Sequence, residues 1–200
     1  VFHSDGADAL KSMWMRIRNK DVYRESPLTY AGVFSSKASM YDPSPLYEMI
    51  EAHTKRNVIQ RHKHQTPLFV SVTDIANERS FSVNLTGMSG DIVPWIFASA
   101  SPPAFFPPVK IANKLYCDGG LGELVNITFA IKNGADTIII LCPRGVPSNT
   151  KLSNLLDAGK FAIRMPLNYQ LEKELRIIEV MNSHPDKRVI RTLLIRPEDN

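Results

Sequence analysis

The amino-acid sequence predicts a fold of the α/β class. Segments with apolar residues at helical spacing alternate with short β-rich runs, as in layered α/β proteins. The run Thr137–Cys142 is almost entirely apolar, which predicts a strand covered on both faces in a parallel sheet. The 200 residues are 44% hydrophobic and contain no internal repeat, so a single core of ordinary size is expected.

The N-terminal third of the chain predicts two helices separated by a long loop. Residues 7–19 carry four apolar side chains at helical spacing, namely Leu10, Met13, Trp14 and Ile17. The segment from Ser26 to Pro45 is polar and rich in proline and serine, which indicates a loop. Helical spacing returns from Leu46 to Ile59.

The middle of the chain predicts a pair of hairpins around a short helix. Residues 67–74 read as a strand, and residues 81–85 as its antiparallel neighbour. Asp91 is a suitable N-cap for a helix that runs through Ala100. The proline-rich loop Ser101–Pro108 follows and ends this helix. A second hairpin is expected at 109–111 and 114–117.

The C-terminal part predicts helices and strands in alternation. A short helix is expected over 127–132, followed by the strand at 137–142. A long helix should then run from about Leu152 to Met181, and Pro166 could break it. A last strand is expected over 189–195.

Composition excludes several classes of protein. Lys and Arg number 24 against 20 Asp and Glu, and the net charge of +4 suits an anionic surface without requiring nucleic acid. No run approaches the roughly 18 apolar residues of a membrane-spanning helix.

Cys117 and Cys142 cannot form a disulfide framework, which favours a reducing compartment. His62 and His64 flank a lysine, which predicts a solvated basic loop and no metal site.

The motif with the most chemical content is Asp118-Gly119-Gly120, which follows a predicted strand. The glycines can adopt positive φ and allow another backbone or a ligand to approach closely. A carboxylate at this place could accept a proton from a nucleophile, although Asp-Gly pairs also form plain turns. The motif alone leaves both interpretations open.

The order of several short motifs resembles the patatin-like phospholipase family over most of the chain. The matching pieces are Thr73-Asp74, Asp91–Pro94, Ala98–Ala100, Phe106–Val109, Asp118–Gly120 and Gly134–Asp136. Each piece is common by itself, whereas their order and spacing together are specific.

This resemblance implies a three-layer α/β/α sandwich with a mainly parallel central sheet, and ester hydrolysis by a Ser–Asp dyad. In that family the serine stands in a Gly-x-Ser-x-Gly turn, and an upstream glycine-rich turn supplies the oxyanion hole. Asp118 would be the general base, with Gly119 and Gly120 letting the nucleophile loop approach. Because no histidine stands between them, the carboxylate must contact the hydroxyl directly.

The implied substrates are acyl esters of phospholipids or lysophospholipids, and no metal or organic cofactor is implied. The resemblance suggests a cytoplasmic protein that makes peripheral contact with an anionic membrane. The cations Lys55, Arg56, Arg61 and Lys63 could touch lipid headgroups or form a solvated helix face. Phe105 and Phe106 could contact an acyl chain or pack against the hairpin.

The sequence departs from the family pattern because no Gly-x-Ser-x-Gly occurs in it. Residues 87–91, Gly-Met-Ser-Gly-Asp, lack only the last glycine of this motif. Ser4 precedes a polar segment, which is typical of a serine in a loop or at a helix N-cap. Asn126 stands where the family often carries proline.

We therefore expect the first strand, the oxyanion turn and the serine to lie upstream of Val1. Residues 1–200 would then form a single partial domain, with the Asp-Gly-Gly motif in portion 1–133 and a strand–helix–strand in portion 134–200. A non-catalytic lipid- or partner-binding module is the alternative. A nucleotide-binding α/β protein is a third, which the lack of a Gly-rich strand–helix turn disfavours.

Overall fold

The computed structural model describes residues 4–25, 39–56, 66–122, 126–142, 153, 155–184, 186 and 188–196. The chain divides into two compact units. The first contains residues 1–78 and 83–118, and the second contains residues 79–82 and 119–200. Each unit is described separately.

The first unit begins with three helices. They are α1 (Ser4–Arg16), α2 (Asn19–Val22) and α3 (Ser44–Arg56). Helices α1 and α3 were expected from apolar spacing, whereas α2 has only four residues and is too short to show a period. A local bond stabilises α2, because the Asp21 carboxylate accepts the backbone N–H of Arg18 at 2.9 Å.

A four-stranded sheet follows, with strand order β2-β1-β4-β3. Its strands are β1 (Phe69–Asp74), β2 (Arg79–Asn84), β3 (Val109–Ile111) and β4 (Lys114–Asp118). Strand β4 pairs antiparallel with both β1 and β3. Neighbouring strands β1 and β2 are also antiparallel, because a turn of a few residues cannot make the crossover that parallel strands require.

The expected mainly parallel central sheet is therefore wrong for this sheet. Two hairpins build it, and short connections dictate antiparallel pairing. The turn of the second hairpin is Ala112-Asn113, whose φ angles of 47° and 65° match the twist of the flanking strands. The predicted hairpin at 109–117 is confirmed.

Helix α4 (Val93–Ser99) forms the core of the first unit with the sheet. The buried residues of this core are Val72, Ala98 and Tyr116. The ring centroids of Trp95 and Tyr116 lie 5.1 Å apart. The helix begins two residues after Asp91, whose carboxylate accepts the Val93 N–H at 3.0 Å. Asp91 thus binds the first turn as expected, one residue outside the N-cap.

The second unit contains a 3₁₀ turn at Gly119–Leu121, two helices and two strands. The helices are α5 (Ile127–Lys132) and α6 (Leu155–Asn182), and the strands are β5 (Thr137–Leu141) and β6 (Arg191–Ile195). Helix α6 continues through Pro166, which therefore does not break it. Strands β5 and β6 pair in parallel, as an α/β unit requires.

One face of the β5–β6 sheet is covered and the other is exposed. Ile140 is 4% exposed and packs with Ile178 of α6 and Ile127 of α5. On the opposite face Ile139 and Leu141 are 61% and 73% exposed. Within the described residues, α5 and α6 cover one face of β5, and the second face that the sequence predicted to be covered is exposed.

A distant carboxylate caps the start of α5. Asn126 lies in the left-handed region with φ of 44°, and its side chain accepts no capping hydrogen bond from the first turn of α5. Instead Glu174 of α6 accepts the backbone N–H of Thr128 at 3.2 Å and its hydroxyl at 2.9 Å. This bond joins the two helices of the second unit and satisfies one of the N–H groups that a helix start leaves open.

Candidate active site

Asp118 is the last residue of β4, in the middle of the four-stranded sheet. It lies opposite Val72 of β1 in the strand register and is half-buried. The strand positions this residue because Tyr116 and Cys117, just before it, are buried in the first unit.

Both backbone polar groups of Asp118 are hydrogen-bonded. Its N–H donates to the Ser101 carbonyl at 3.0 Å, and its carbonyl accepts the Thr73 hydroxyl at 3.0 Å. Ser101 is completely buried, and its own hydroxyl donates to the Phe97 carbonyl at 2.7 Å. The end of α4 and the strand β1 thus both hold the backbone of Asp118.

Gly119 and Gly120 form a 3₁₀ turn immediately after Asp118. A 3₁₀ turn has negative φ, so the backbone conformation here is one that residues with a side chain can also adopt. Gly122 closes this turn by donating its N–H to the Gly119 carbonyl at 3.0 Å. Their lack of a side chain, rather than a left-handed backbone, is what distinguishes these glycines.

A second carboxylate, Asp74, belongs to the β1–β2 turn. It accepts the Asn77 side-chain amide at 2.8 Å and the Ala76 N–H at 3.1 Å, and Lys114 lies 3.6 Å away. These contacts, the Asn77 amide first, hold the pKa of Asp74 below its ordinary value. A carboxylate that is stabilised in its charged form is a weak base. Asp74 therefore stabilises the β1–β2 turn and is a poor candidate for the proton acceptor.

Cys117 precedes Asp118 and carries an inert thiol. Burial, and then the negative charge of Asp118, raise the pKa of this thiol above its ordinary value. The thiol therefore stays protonated at neutral pH and is a poor nucleophile.

The loop that connects α4 to β3 carries Phe105 and Phe106. Phe106 is 7% exposed and is buried in the first unit. Phe105 is half-buried and stacks on Tyr41, with ring centroids 6.4 Å apart. Backbone bonds from Met40 to Ala104 and from Tyr41 to Phe105, at 2.9 and 3.0 Å, hold the loop in place.

The remaining candidates lie on other segments of the chain or outside the described residues. Ser4 begins α1, and Ser89 is exposed in the segment before α4. The side chains of Lys55 and Arg56, and residues 57–65 with the predicted basic loop, lie outside the part that the structure describes. In the described ranges, no three His, Cys, Asp or Glu side chains are close enough to hold a metal ion.

Two residues that hold Asp118 were not given a role by the sequence. The sequence presents Thr73 only as part of a motif and Ser101 only as the start of a loop. The Thr73 contact depends on the pairing of β1 with β4, which joins residues 45 positions apart and leaves no local signal. The Ser101 contact joins β4 to the loop after α4, which no local pattern specifies either.

A family model described as patatin-like phospholipase matches residues 5–131. The match covers more than half of the chain and includes the sheet, α4 and the Asp118–Gly120 motif. The chain belongs to the patatin-like phospholipase family.

A search of curated proteins gives no match. The patatin-like domain places this protein among lipid acyl hydrolases, whose substrates are lipids. Among the helices described for it, none has the length and apolar character needed to span a bilayer.

Proposed function

We propose that this patatin-like protein hydrolyses acyl esters of phospholipids or lysophospholipids, with Asp118 as the proton acceptor of a Ser–Asp dyad. The nucleophilic serine would lie outside residues 1–200, because these residues contain no Gly-x-Ser-x-Gly. The observation that carries the proposal is the placement of Asp118. It ends a central strand, follows two buried residues, and has both backbone groups bonded.

The proposed chemistry needs a carboxylate in a fixed position. The Asp118 carboxylate would accept the serine proton while the serine oxygen attacks the ester carbonyl carbon. The protonated carboxyl group would then return that proton to the leaving alcohol, which leaves an acyl-enzyme. Water, losing its proton to the same carboxylate, would release the fatty acid and regenerate the serine.

The neighbouring residues support this assignment in different ways. Gly119 and Gly120 carry no side chains of their own next to Asp118 in the chain, which suits a close approach by the nucleophile loop. Phe105, half-buried beside Tyr41, is the better candidate for an acyl-chain contact, because Phe106 is buried.

We also propose the three-layer arrangement for the complete domain. Strands β5 and β6 carry apolar side chains on both faces, and α5 and α6 cover one of them. A parallel sheet of this composition is stable when a further layer covers its second face. The cytoplasmic location and a peripheral contact with an anionic membrane accord with a lipid substrate and a net charge of +4.

Replacement of Asp118 by asparagine in the full-length protein tests the catalytic proposal. Asp118→Asn keeps the shape and removes the basic oxygen, so turnover should fall by roughly 10²–10⁴-fold, or about 3–5 kcal/mol in the barrier. Asp136→Asn is the matched control, because Asp136 is exposed and contacts Thr137 at the start of β5. Near wild-type turnover of Asp118→Asn, measured per folded molecule, would refute the assigned role.

A non-catalytic lipid- or partner-binding module is the second candidate, favoured by the absence of the nucleophile motif from residues 1–200. A serine-directed fluorophosphonate distinguishes the two functions in the full-length protein. The enzyme should be labelled stoichiometrically at one serine outside residues 1–200. A folded protein that binds lipid vesicles but takes up no label would support the binding module.

A further inference from the structure

We infer that Thr73 is a positioning residue for the reaction, acting through its hydrogen bond to the backbone of Asp118. This inference rests on the proposed function, since it concerns the same site. Thr73 lies on β1, where it stands opposite Cys117, and its hydroxyl donates to the Asp118 carbonyl at 3.0 Å.

The direction of the Asp118 side chain depends on the two peptide groups that flank its Cα. Each peptide group is planar, so a residue with both neighbouring planes fixed has a fixed Cα–Cβ direction. Ser101 holds the plane on the N-terminal side through the Asp118 N–H, and Thr73 holds the plane on the C-terminal side through the carbonyl.

The two anchors come from rigid elements of the first unit. Ser101 is fully buried at the end of α4, and both its N–H and its hydroxyl bond to carbonyls of that helix. Thr73 stands between Val72, which is 0% exposed, and Asp74, which is bonded in the β1–β2 turn.

The Asp118 carbonyl accepts two side-chain donors, the Thr73 hydroxyl at 3.0 Å and the Cys117 thiol at 3.9 Å, and the hydroxyl is the closer of the two. Strand β4 ends at Asp118 and the 3₁₀ turn begins at the next residue, so the regular strand pairing stops there. A side-chain hydroxyl at this point fixes the peptide plane where the strand gives way to the turn. A carboxylate that acts directly on a serine hydroxyl tolerates little misplacement, since about 1 Å costs roughly 10²-fold in rate.

Thr73→Val removes the hydroxyl and keeps the volume and branching of the side chain. Because Ser101 still holds the amide side, we expect kcat to fall by about tenfold with KM within twofold of wild type. The rate constant for fluorophosphonate labelling should fall by the same factor. Thr73→Ser restores the donor and should recover most of both rates, and Thr73→Ala gives a second measurement without the hydroxyl.

Thr128→Val is the matched control, because it removes a hydroxyl that donates at 2.9 Å to Glu174 in the second unit. It should lower the melting temperature and leave kcat per labelled site unchanged. All variants are compared in the full-length protein with Asp118→Asn.

The outcomes separate this inference from the proposed function. If Asp118→Asn loses turnover while Thr73→Val and Thr73→Ala keep kcat within twofold, the positioning role is wrong and the base assignment stands. If Asp118→Asn itself turns over normally, the proposed function fails and this inference fails with it. A loss in Thr73→Val that Thr73→Ser does not repair also contradicts the positioning role.

Discussion

Gly122 is packed so closely against Ser80 that a single added methyl group should destabilise the second unit. A Cβ built on Gly122 would overlap the Ser80 hydroxyl and lie 2.7 Å from the Ser80 Cβ. Carbon atoms in contact lie about 3.5–4.0 Å apart, so the two positions must separate by about 1 Å. The Ser80 Cβ is attached directly to the backbone and cannot rotate away, so the chain itself must move.

Overpacking of this kind costs about 1–3 kcal/mol. For a domain of 150–250 residues that unfolds cooperatively, each kcal/mol changes the melting temperature by roughly 2–4 °C, so the transition of the domain that contains Gly122→Ala should lie about 2–12 °C lower. Thermal unfolding and urea unfolding of the full-length protein measure this change. The effect has a functional interest, because Gly122 closes the turn that follows Asp118.

Two further variants test the reasoning. Gly90→Ala is the matched control, since its Cβ would meet nothing within 4 Å and its φ is not positive, so it should be neutral or slightly stabilising. Ser80→Gly removes the overlapping atoms and should offset most of the loss when combined with Gly122→Ala. A Gly122→Ala protein that melts within 1 °C of wild type, or a loss that Ser80→Gly leaves unchanged, would refute the packing argument.

Two other predictions concern stability. Ile140→Ala should lower the free energy of unfolding, measured in urea, by about 2–5 kcal/mol, because Ile140 is 4% exposed. Ile139→Ala, at a neighbouring position that is 61% exposed, should lower it by less than about 1 kcal/mol. Equal losses would contradict the one-sided packing of β5. The pKa of Asp74 in the folded state is below its ordinary value of 3.8. The ionised carboxylate therefore stabilises the fold fully above about pH 3.8, and this stabilisation disappears as the pH falls through the folded-state pKa. Asp74→Asn should therefore melt below wild type at pH 7 and approach it in acid, and a difference that persists unchanged below about pH 3 would contradict this assignment.

Local patterns predicted most of the elements of this protein. The short apolar strands, the Ala112-Asn113 turn and the placement of Asp118 at a strand end all depend on neighbouring residues, and the structure contains each of them. The family resemblance over the motifs is likewise confirmed by the family match.

Long-range pairing accounts for what the sequence did not predict. The two hairpins join into one sheet because β4 pairs with β1 as well as with β3, and no local pattern specifies this second partner. The bond that Thr73 makes to Asp118 depends on the same pairing, and the bond from the Asp118 N–H to Ser101 joins the strand to a loop 17 positions earlier. The exposure of Ile139 was also missed, because an apolar run gives composition but not the number of layers that cover it.

The cap that Glu174 provides for α5 has a consequence for the order of folding. A six-residue helix is too short to be stable by itself, and its first turn here depends on a carboxylate that lies 46 residues later in the chain. At about 5–20 residues per second, a ribosome needs roughly 2–9 s to add that stretch. Helix α5 is therefore synthesised seconds before its cap, and it becomes stable only when α6 docks onto it.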